Sequence, residues 1–290
     1  MIDTGAGKYN GTKDKTYAKK KDPAYEYLKK IGVKHLEFVI LTHPHRDHIG
    51  GLVKILKDKT ITINTIYGNS LEMTYLRSND NVKEQTSETA KWTKFDSDTY
   101  QNVKDEIEKR NSEEDESLHV KYVIPKAGSK IYLGQAQITF YGPLENNYKY
   151  GRQVDLNVRQ ENKYSIVTRI VYGKNSFLMT GDAQRETIEK IIKKGYNLQA
   201  QVLKEPHHGY QDVKEKDKLI AGRTSDHKLL IDHTKANIAV ISNGYKNTGE
   251  VPMKNVLTDL SKMDIYETGN RGTIVITSDG SHLYVRTEKG

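Results

Sequence analysis

The segment Thr42-His43-Pro44-His45-Arg46-Asp47-His48-Ile49-Gly50-Gly51 constrains this chain more than any other, because three histidines and an aspartate fall within six residues. They follow directly on Leu36-Glu37-Phe38-Val39-Ile40-Leu41, a near-continuous apolar run rich in β-formers that suits a strand buried on both faces. Side chains of the metal-ligand type are thus crowded at the C-terminal end of a buried strand. Imidazole and carboxylate are donors that zinc, manganese and iron accept, and in an extended loop His43 and His45 can turn toward one point. Asp47 and His48, where the chain enters a helix, can face a second point close by. The spacing suits two adjacent metals rather than one. The competing account is a polar loop whose histidines contact solvent or bind metal adventitiously. Against it, a histidine buried at a strand end normally has a specific partner, and Gly50-Gly51 lets backbone pack closely against the site.

Two later segments carry matching chemistry. Phe177-Leu178-Met179-Thr180-Gly181-Asp182 reads as a strand ending in Gly-Asp, and Leu203-Lys204-Glu205-Pro206-His207-His208-Gly209 again places histidines at a strand end. Taken singly each is weak, since a strand-terminal Asp is usually a turn or cap residue. Three such strand ends in one chain are harder to dismiss. The chain has no cysteine, so any metal must be held by histidine and carboxylate.

Around these segments the pattern alternates. Asp22-Pro23 with Ala24, Leu28 and Ile31, stopped by Gly32, predicts a short amphipathic helix. Helical spacing from Ile49 to Leu56 and a strand over 61–67 follow the histidine segment. Residues 78–118 look least globular, with a helix near Tyr100–Lys109, and are read as an insertion or lid over the site starting near residue 70, with a plain solvated excursion as the alternative. Strands are predicted at 120–124, 130–133 and 137–141, and a hairpin at 165–180 turns on Gly173-Lys174-Asn175. A helix over 183–194, strands at 199–203 and 237–242, a helix over 253–262 and a closing hairpin about Asp279-Gly280 complete the pattern. Mixed strands and helices of this kind fit a layered α/β sandwich better than a doubly wound parallel sheet.

The length of 290 residues suits one large domain over 1–290. The 46 Lys and Arg against 38 Asp and Glu, a net +8, favour anionic partners such as nucleic acid, teichoic-type polymers or anionic membranes; an ordinary solvated surface explains the excess about as well. No stretch approaches the roughly 20 apolar residues that span a bilayer. Ile2-Asp3-Thr4-Gly5 looks like a strand end without a preceding partner strand. A signal peptide removed upstream of it would place the protein outside the cytoplasm, and its absence would leave it inside.

His43-x-His45-x-Asp47-His48 with Gly50-Gly51 resembles the signature of the metallo-β-lactamase superfamily. Ile2-Asp3-Thr4-Gly5, Thr180-Gly181-Asp182 and Leu203-Lys204-x-x-His207-His208-Gly209 make the chain most similar to the hydrolase domain of competence DNA-uptake proteins and their stand-alone relatives, with the teichoic acid phosphorylcholine esterases as a related branch. The resemblance implies an αββα four-layer sandwich that here lacks its first strand pair. It also implies two divalent metal ions, zinc or manganese: His43 and His45 on one, Asp47 and His48 on the other, Asp182 bridging, and one of His207 and His208 completing the ligands of the second metal while the other contacts the substrate or the leaving group. Asp3 would support the first histidine loop from behind. Glu145 stands where the esterase branch has a glutamate ligand, whereas His119 reads as a surface residue. Where the uptake proteins carry Gly-His-Pro, this chain has Gly249-Glu250-Val251-Pro252.

The expected activity is therefore phosphodiester or nuclease hydrolysis of an anionic phosphoester, such as DNA or a phosphorylated surface polymer. Catalysis would rest on Asp47, Asp182, His207 and His208, with the second histidine or Lys204 stabilising developing charge. The alternatives are a phosphorylcholine-type esterase and a binding module without turnover. His35, His227, His233 and His282 lack ligand-like company and read as structural or surface residues, and Tyr210 is a candidate substrate contact.

Overall fold

The computed structural model describes residues 1–6, 22–69, 88–144, 161–210, 226–244 and 251–290. Its tertiary contacts group into two compact units, Met1–Pro125 with Glu145–Glu161, and Lys126–Leu144 with Asn162–Gly290.

The first unit is built on a parallel sheet in the order β1-β2-β3, formed by His35–Ile40, Thr62–Tyr67 and Lys121–Val123. Ile2 adds a parallel bridge to Ile40, and the Asp3 amide donates to the Ile40 carbonyl at 2.8 Å. Val39, Leu41, Ile63 and Ile66 are buried with Leu52, Ile55 and Leu56 of the helix Leu52–Lys57 and with Leu28 of the helix Pro23–Lys30. Each such side chain contributes about 1.5–3 kcal/mol on leaving water. Part of the span 70–118 belongs to this core. The helix Glu88–Asn111 sends Tyr100, Val103 and Ile107 into it, while 70–87 lie outside the described residues. Arg110 of that helix is buried and donates to the carbonyls of Ile55, Leu56, Asp58 and Ile61 at 2.6–3.0 Å. It thereby closes the C-terminal end of the helix Leu52–Lys57, whose last carbonyls lack partners within the helix.

The second unit holds a seven-stranded mixed sheet in the order β10-β9-β8-β7-β6-β5-β4. Strands β4 (Lys130–Leu133), β5 (Ala136–Phe140), β6 (Thr168–Tyr172) and β7 (Asn175–Met179) pair antiparallel. From β7 onward, β8 (Val202–Lys204), β9 (Ile238–Ile241) and β10 (Asp264–Glu267) pair parallel. The β6–β7 hairpin turns on Gly173-Lys174, with Gly173 at φ 57 and Asn175 already paired to Tyr172. Leu178, Leu203 and Val167 pack with Ile188 and Ile191 of the helix Arg185–Lys193 and Leu230 of the helix Asp226–Thr234. A closing hairpin, β11 (Ile274–Ser278) with β12 (Leu283–Thr287), is tied to β7 by Asn175, whose amide donates to Ser278 Oγ and the His282 carbonyl.

Each unit is thus a sheet with its own helices, as the α/β expectation requires, and the chain is consistent with the sandwich fold. The change from antiparallel to parallel pairing at β7 matters for function. It places the C-terminal ends of β7, β8 and β9 side by side at one sheet edge, where open α/β sheets present ligand-binding loops. No helix among the described residues is long and apolar enough to cross a membrane.

Candidate functional site

In the first unit the turn after β1 brings His43, His45 and His48 together in the interior. All three are buried; the ring centroids of His45 and His48 lie 4.6 and 4.1 Å from that of His43. Hydrogen bonding fixes how their nitrogens face. His48 Nδ1 sits 2.7 Å from Asp3 Oδ2, and a carboxylate there accepts, so Nδ1 carries the proton and Nε2 presents a lone pair. That Nε2 stands 3.7 Å from Asp47 Oδ2. Thr42 Oγ1 donates to Asp3 Oδ2 at 2.9 Å, which leaves the same oxygen to accept from His43 Nδ1 at 3.0 Å. His43 Nε2 therefore also presents a lone pair, 3.0 Å from His45 Nδ1.

Asp3 organises this arrangement from a backbone conformation uncommon for non-glycine residues, with φ 52. Its Oδ1 accepts from the Thr42 amide at 2.8 Å, so one carboxylate orients both ends of the histidine loop. Gly50 and Gly51 leave no room for a Cβ, which would run into the carbonyls of Ala6 and Thr4. The Asn69 amide donates to the Thr42 carbonyl at 3.3 Å and Tyr122 donates to the Asn69 carbonyl at 2.6 Å. Desolvation pushes the Tyr122 phenol well above its ordinary range and keeps it a donor. Neither Asn69 nor Tyr122 is signalled by the sequence. His119 donates to or accepts nothing near this loop in the described contacts; its Nε2 lies 2.9 Å from the Glu113 carbonyl.

In the second unit Asp182 follows β7 and His207 and His208 follow β8. Asp182 is buried, and its Oδ2 lies 3.9 Å from His207 Nε2 and 3.6 Å from His208 Nε2. His208 Nδ1 donates to the Ser242 carbonyl after β9 at 2.6 Å, so its Nε2 again faces a carboxylate with a lone pair. Ser165 Oγ accepts from the Asp182 amide at 3.1 Å and holds the Gly-Asp turn, where Gly181 has φ 55. Lys204 Nζ donates to the Gly181 carbonyl at 3.3 Å, bracing that turn. His207 and His208 both lie in the left-handed region, at φ 48 and 57, a conformation costing about 1–3 kcal/mol each. Tyr210 is partly exposed and meets His207 edge to face at 5.2 Å.

The structure thus brings together His43, His45, Asp47 and His48 in one unit, and Asp182, His207 and His208 in the other. Glu145 lies outside the described residues. His227, read as a structural or surface residue, is buried against the fully buried Glu205, with its Nδ1 hydrogen-bonded to Glu205 Oε1. The side chains of His35, His233 and His282 contact Thr62 and Glu37, the Leu229 carbonyl, and Asp279 and Tyr284, respectively.

A lone pair directed at a carboxylate or at another imidazole across 3–4 Å is repulsive unless a proton or a cation lies between. His43, His48 and His208 present such lone pairs, beside Asp47 and Asp182. This donor set fits divalent metal ions of the zinc or manganese type.

A protein-family model described as the metallo-beta-lactamase superfamily matches residues 1–125. No curated protein matches the chain. Among solved structures, the metallo-beta-lactamase fold protein YhfI from Bacillus subtilis is 15% identical, covering 98% of this chain and 85% of that one, with a TM-score of 0.46. Tm1679, a metal-dependent hydrolase of the beta-lactamase superfamily, is 12% identical over 92% of this chain and 84% of its own, at 0.44. A diphosphatase from the PhnP family is 14% identical over 82% and 66%, at 0.36. Likeness at this level bears on neither substrate nor chemistry.

Proposed function

We propose that this chain, whose residues 1–125 match a model of the metallo-beta-lactamase superfamily, is a metal-dependent hydrolase of that superfamily that cleaves phosphoester bonds. In this reading His43, His45, Asp47 and His48 together with Asp182 and one of His207 and His208 hold two divalent ions, and Glu145 is a further candidate ligand. The observation that carries the reading is the fixing of ring nitrogens. Asp3, Thr42 and the Ser242 carbonyl take the Nδ1 protons of His48, His43 and His208, so each ring offers Nε2 as a donor. A carboxylate or carbonyl behind a ligand histidine is the usual device for orienting it and raising its basicity.

Two divalent ions bound by these residues would supply a water acidified toward neutral pH and positive charge to balance a phosphoester in its transition state. The chain's own part is to hold and to exchange protons. Asp47 and Asp182 accept from the attacking water and orient it, and whichever of His207 and His208 is not a ligand stabilises the departing oxygen. A phosphodiester such as DNA is the favoured substrate, because the net charge of +8 attracts polyanions. A phosphorylcholine ester on a surface polymer is the second reading, and it rests on Glu145.

Asp182→Asn tests this directly. It replaces a charged ligand by a neutral amide at a strand end, outside the apolar core. Phosphodiesterase turnover is expected to fall by orders of magnitude while the melting temperature changes little. If Asp182 were only a turn residue, the variant would lose about 0.5–2 kcal/mol of stability and keep its turnover. Wild-type hydrolysis of a phosphorylcholine ester, without hydrolysis of DNA, would exchange the two substrate readings.

A further inference from the structure

The turn Pro206–Gly209 holds two histidines in left-handed backbone, and something must keep it there. Within it, Tyr210 donates its amide to the His207 carbonyl at 2.7 Å; from outside, the His207 amide donates to the Gly181 carbonyl at 3.3 Å, His208 Nδ1 to the Ser242 carbonyl at 2.6 Å, and the Gly209 carbonyl accepts from the Met253 amide at 2.9 Å. Glu205 stands immediately before the turn and Tyr210 immediately after it. His227, in the first turn of the helix Asp226–Thr234, reaches both. Its Nδ1 is hydrogen-bonded to the buried Glu205 carboxylate and its Nε2 lies 3.3 Å from the Tyr210 carbonyl. Glu205 is itself fixed to the sheet by its amide, which donates to the Val240 carbonyl at 2.8 Å. One imidazole therefore ties the entry and the exit of the turn to a single rigid point.

We infer that His227 is a positioning residue that staples the two ends of the His207-His208 turn and so sets where those imidazoles point. The inference rests on the reading above for its bearing on metal binding, but the staple itself is a property of this unit alone. Both ring nitrogens of His227 serve the two ends of one loop, an arrangement that packing alone does not require. Isolated burial of a histidine is satisfied by one partner and water; here the partners are the residues flanking the strained pair.

The test uses the full chain. Removing His227 alone would leave the Glu205 carboxylate buried without its partner, so Glu205→Leu with His227→Phe replaces both polar groups by apolar ones of similar size. Amide hydrogen exchange, measured without metal, is expected to quicken at Tyr210 and at neighbouring amides of the turn, while far-UV circular dichroism stays as in the wild type. Zinc affinity, measured by chelator competition, is expected to weaken about 10–100-fold. Glu205→Gln keeps an acceptor for His227 and is expected to stay near wild type in both measurements. If the double variant does not fold, His227→Gln, which can reach only one end of the turn, gives the same comparison. Unchanged exchange at Tyr210 in a folded variant overturns the staple. A wild-type chain that binds no zinc refutes the metal reading instead, and exchange at Tyr210 then decides the staple alone.

Discussion

Asp3 sets the donor geometry of the first cluster through two acceptor oxygens: Oδ1 takes the Thr42 amide, and Oδ2 takes His48 Nδ1 and the Thr42 hydroxyl. Asp3→Asn puts an NH2 where one acceptor stood, so His48 loses the partner that fixes its tautomer, and Thr42 is freed to turn away from its role toward His43. Zinc affinity is expected to fall about 10–100-fold with the fold intact; chelator competition that returned the wild-type value would remove Asp3 from the site. The first cluster was readable in the sequence because His43, His45, Asp47 and His48 are contiguous, and contiguity after a buried strand carries meaning without a structure. The Glu205–His227 pair was not. The partners are 22 residues apart, and a lone histidine on a helix of mixed polarity has no spacing that distinguishes a staple from a surface residue.

At the level of elements, the ends of helices decide more than their middles. Arg110 fastens the helix Glu88–Asn111 to the end of Leu52–Lys57 through four carbonyls, and the second of these helices starts directly after the Gly50-Gly51 contact with Thr4 and Ala6. Arg110→Met keeps much of the volume but removes the donor from the Leu56 and Ile61 carbonyls, while those of Ile55 and Asp58 still accept from the amides of Asp58 and Ile61; the expected loss is about 1–3 kcal/mol for each carbonyl left without its donor. Urea unfolding that showed a loss under about 1 kcal/mol would contradict this role. Asp58, just beyond the same helix, accepts from Thr60 Oγ1 and amide, from Lys29 Nζ and from Tyr25. The Thr60 hydroxyl first, and Lys29 and Tyr25 after it, hold its carboxyl well below the usual carboxylate range. A carboxyl depressed on folding adds stability above its unfolded pKa of about 3.9, and loses it as pH falls toward the folded value. The stability gap between wild type and Asp58→Asn is therefore expected to be constant above about pH 5 and to shrink below about pH 4; a gap independent of pH would count against it. Strands and helices with clear apolar period were legible to within a few residues. The helix Asp226–Thr234 and β10 were not, since DHKLLIDHT mixes polar and apolar residues without a stop signal and DIYE is only four residues long. The helix Glu88–Asn111 was read as a short one near Tyr100–Lys109 because its burial comes from tertiary contact with the helices Arg46–Ile49 and Leu52–Lys57 and not from its own pattern.

For the molecule as a whole, strand direction carries the functional content. In the second unit the parallel run β7-β8-β9 gathers Asp182, the His207-His208 turn and Ser242 at one edge; in the first, β1 delivers the histidine loop onto Asp3. The α/β class and the strand ends that carry His and Asp were legible because motifs at strand ends survive without knowledge of pairing. The claim that unites the account is that these ends are ligands for two divalent ions. Metal analysis of the purified chain after loading with zinc or manganese and removal of excess tests it most directly. The account predicts close to two ions per chain; a chain that retains none contradicts it.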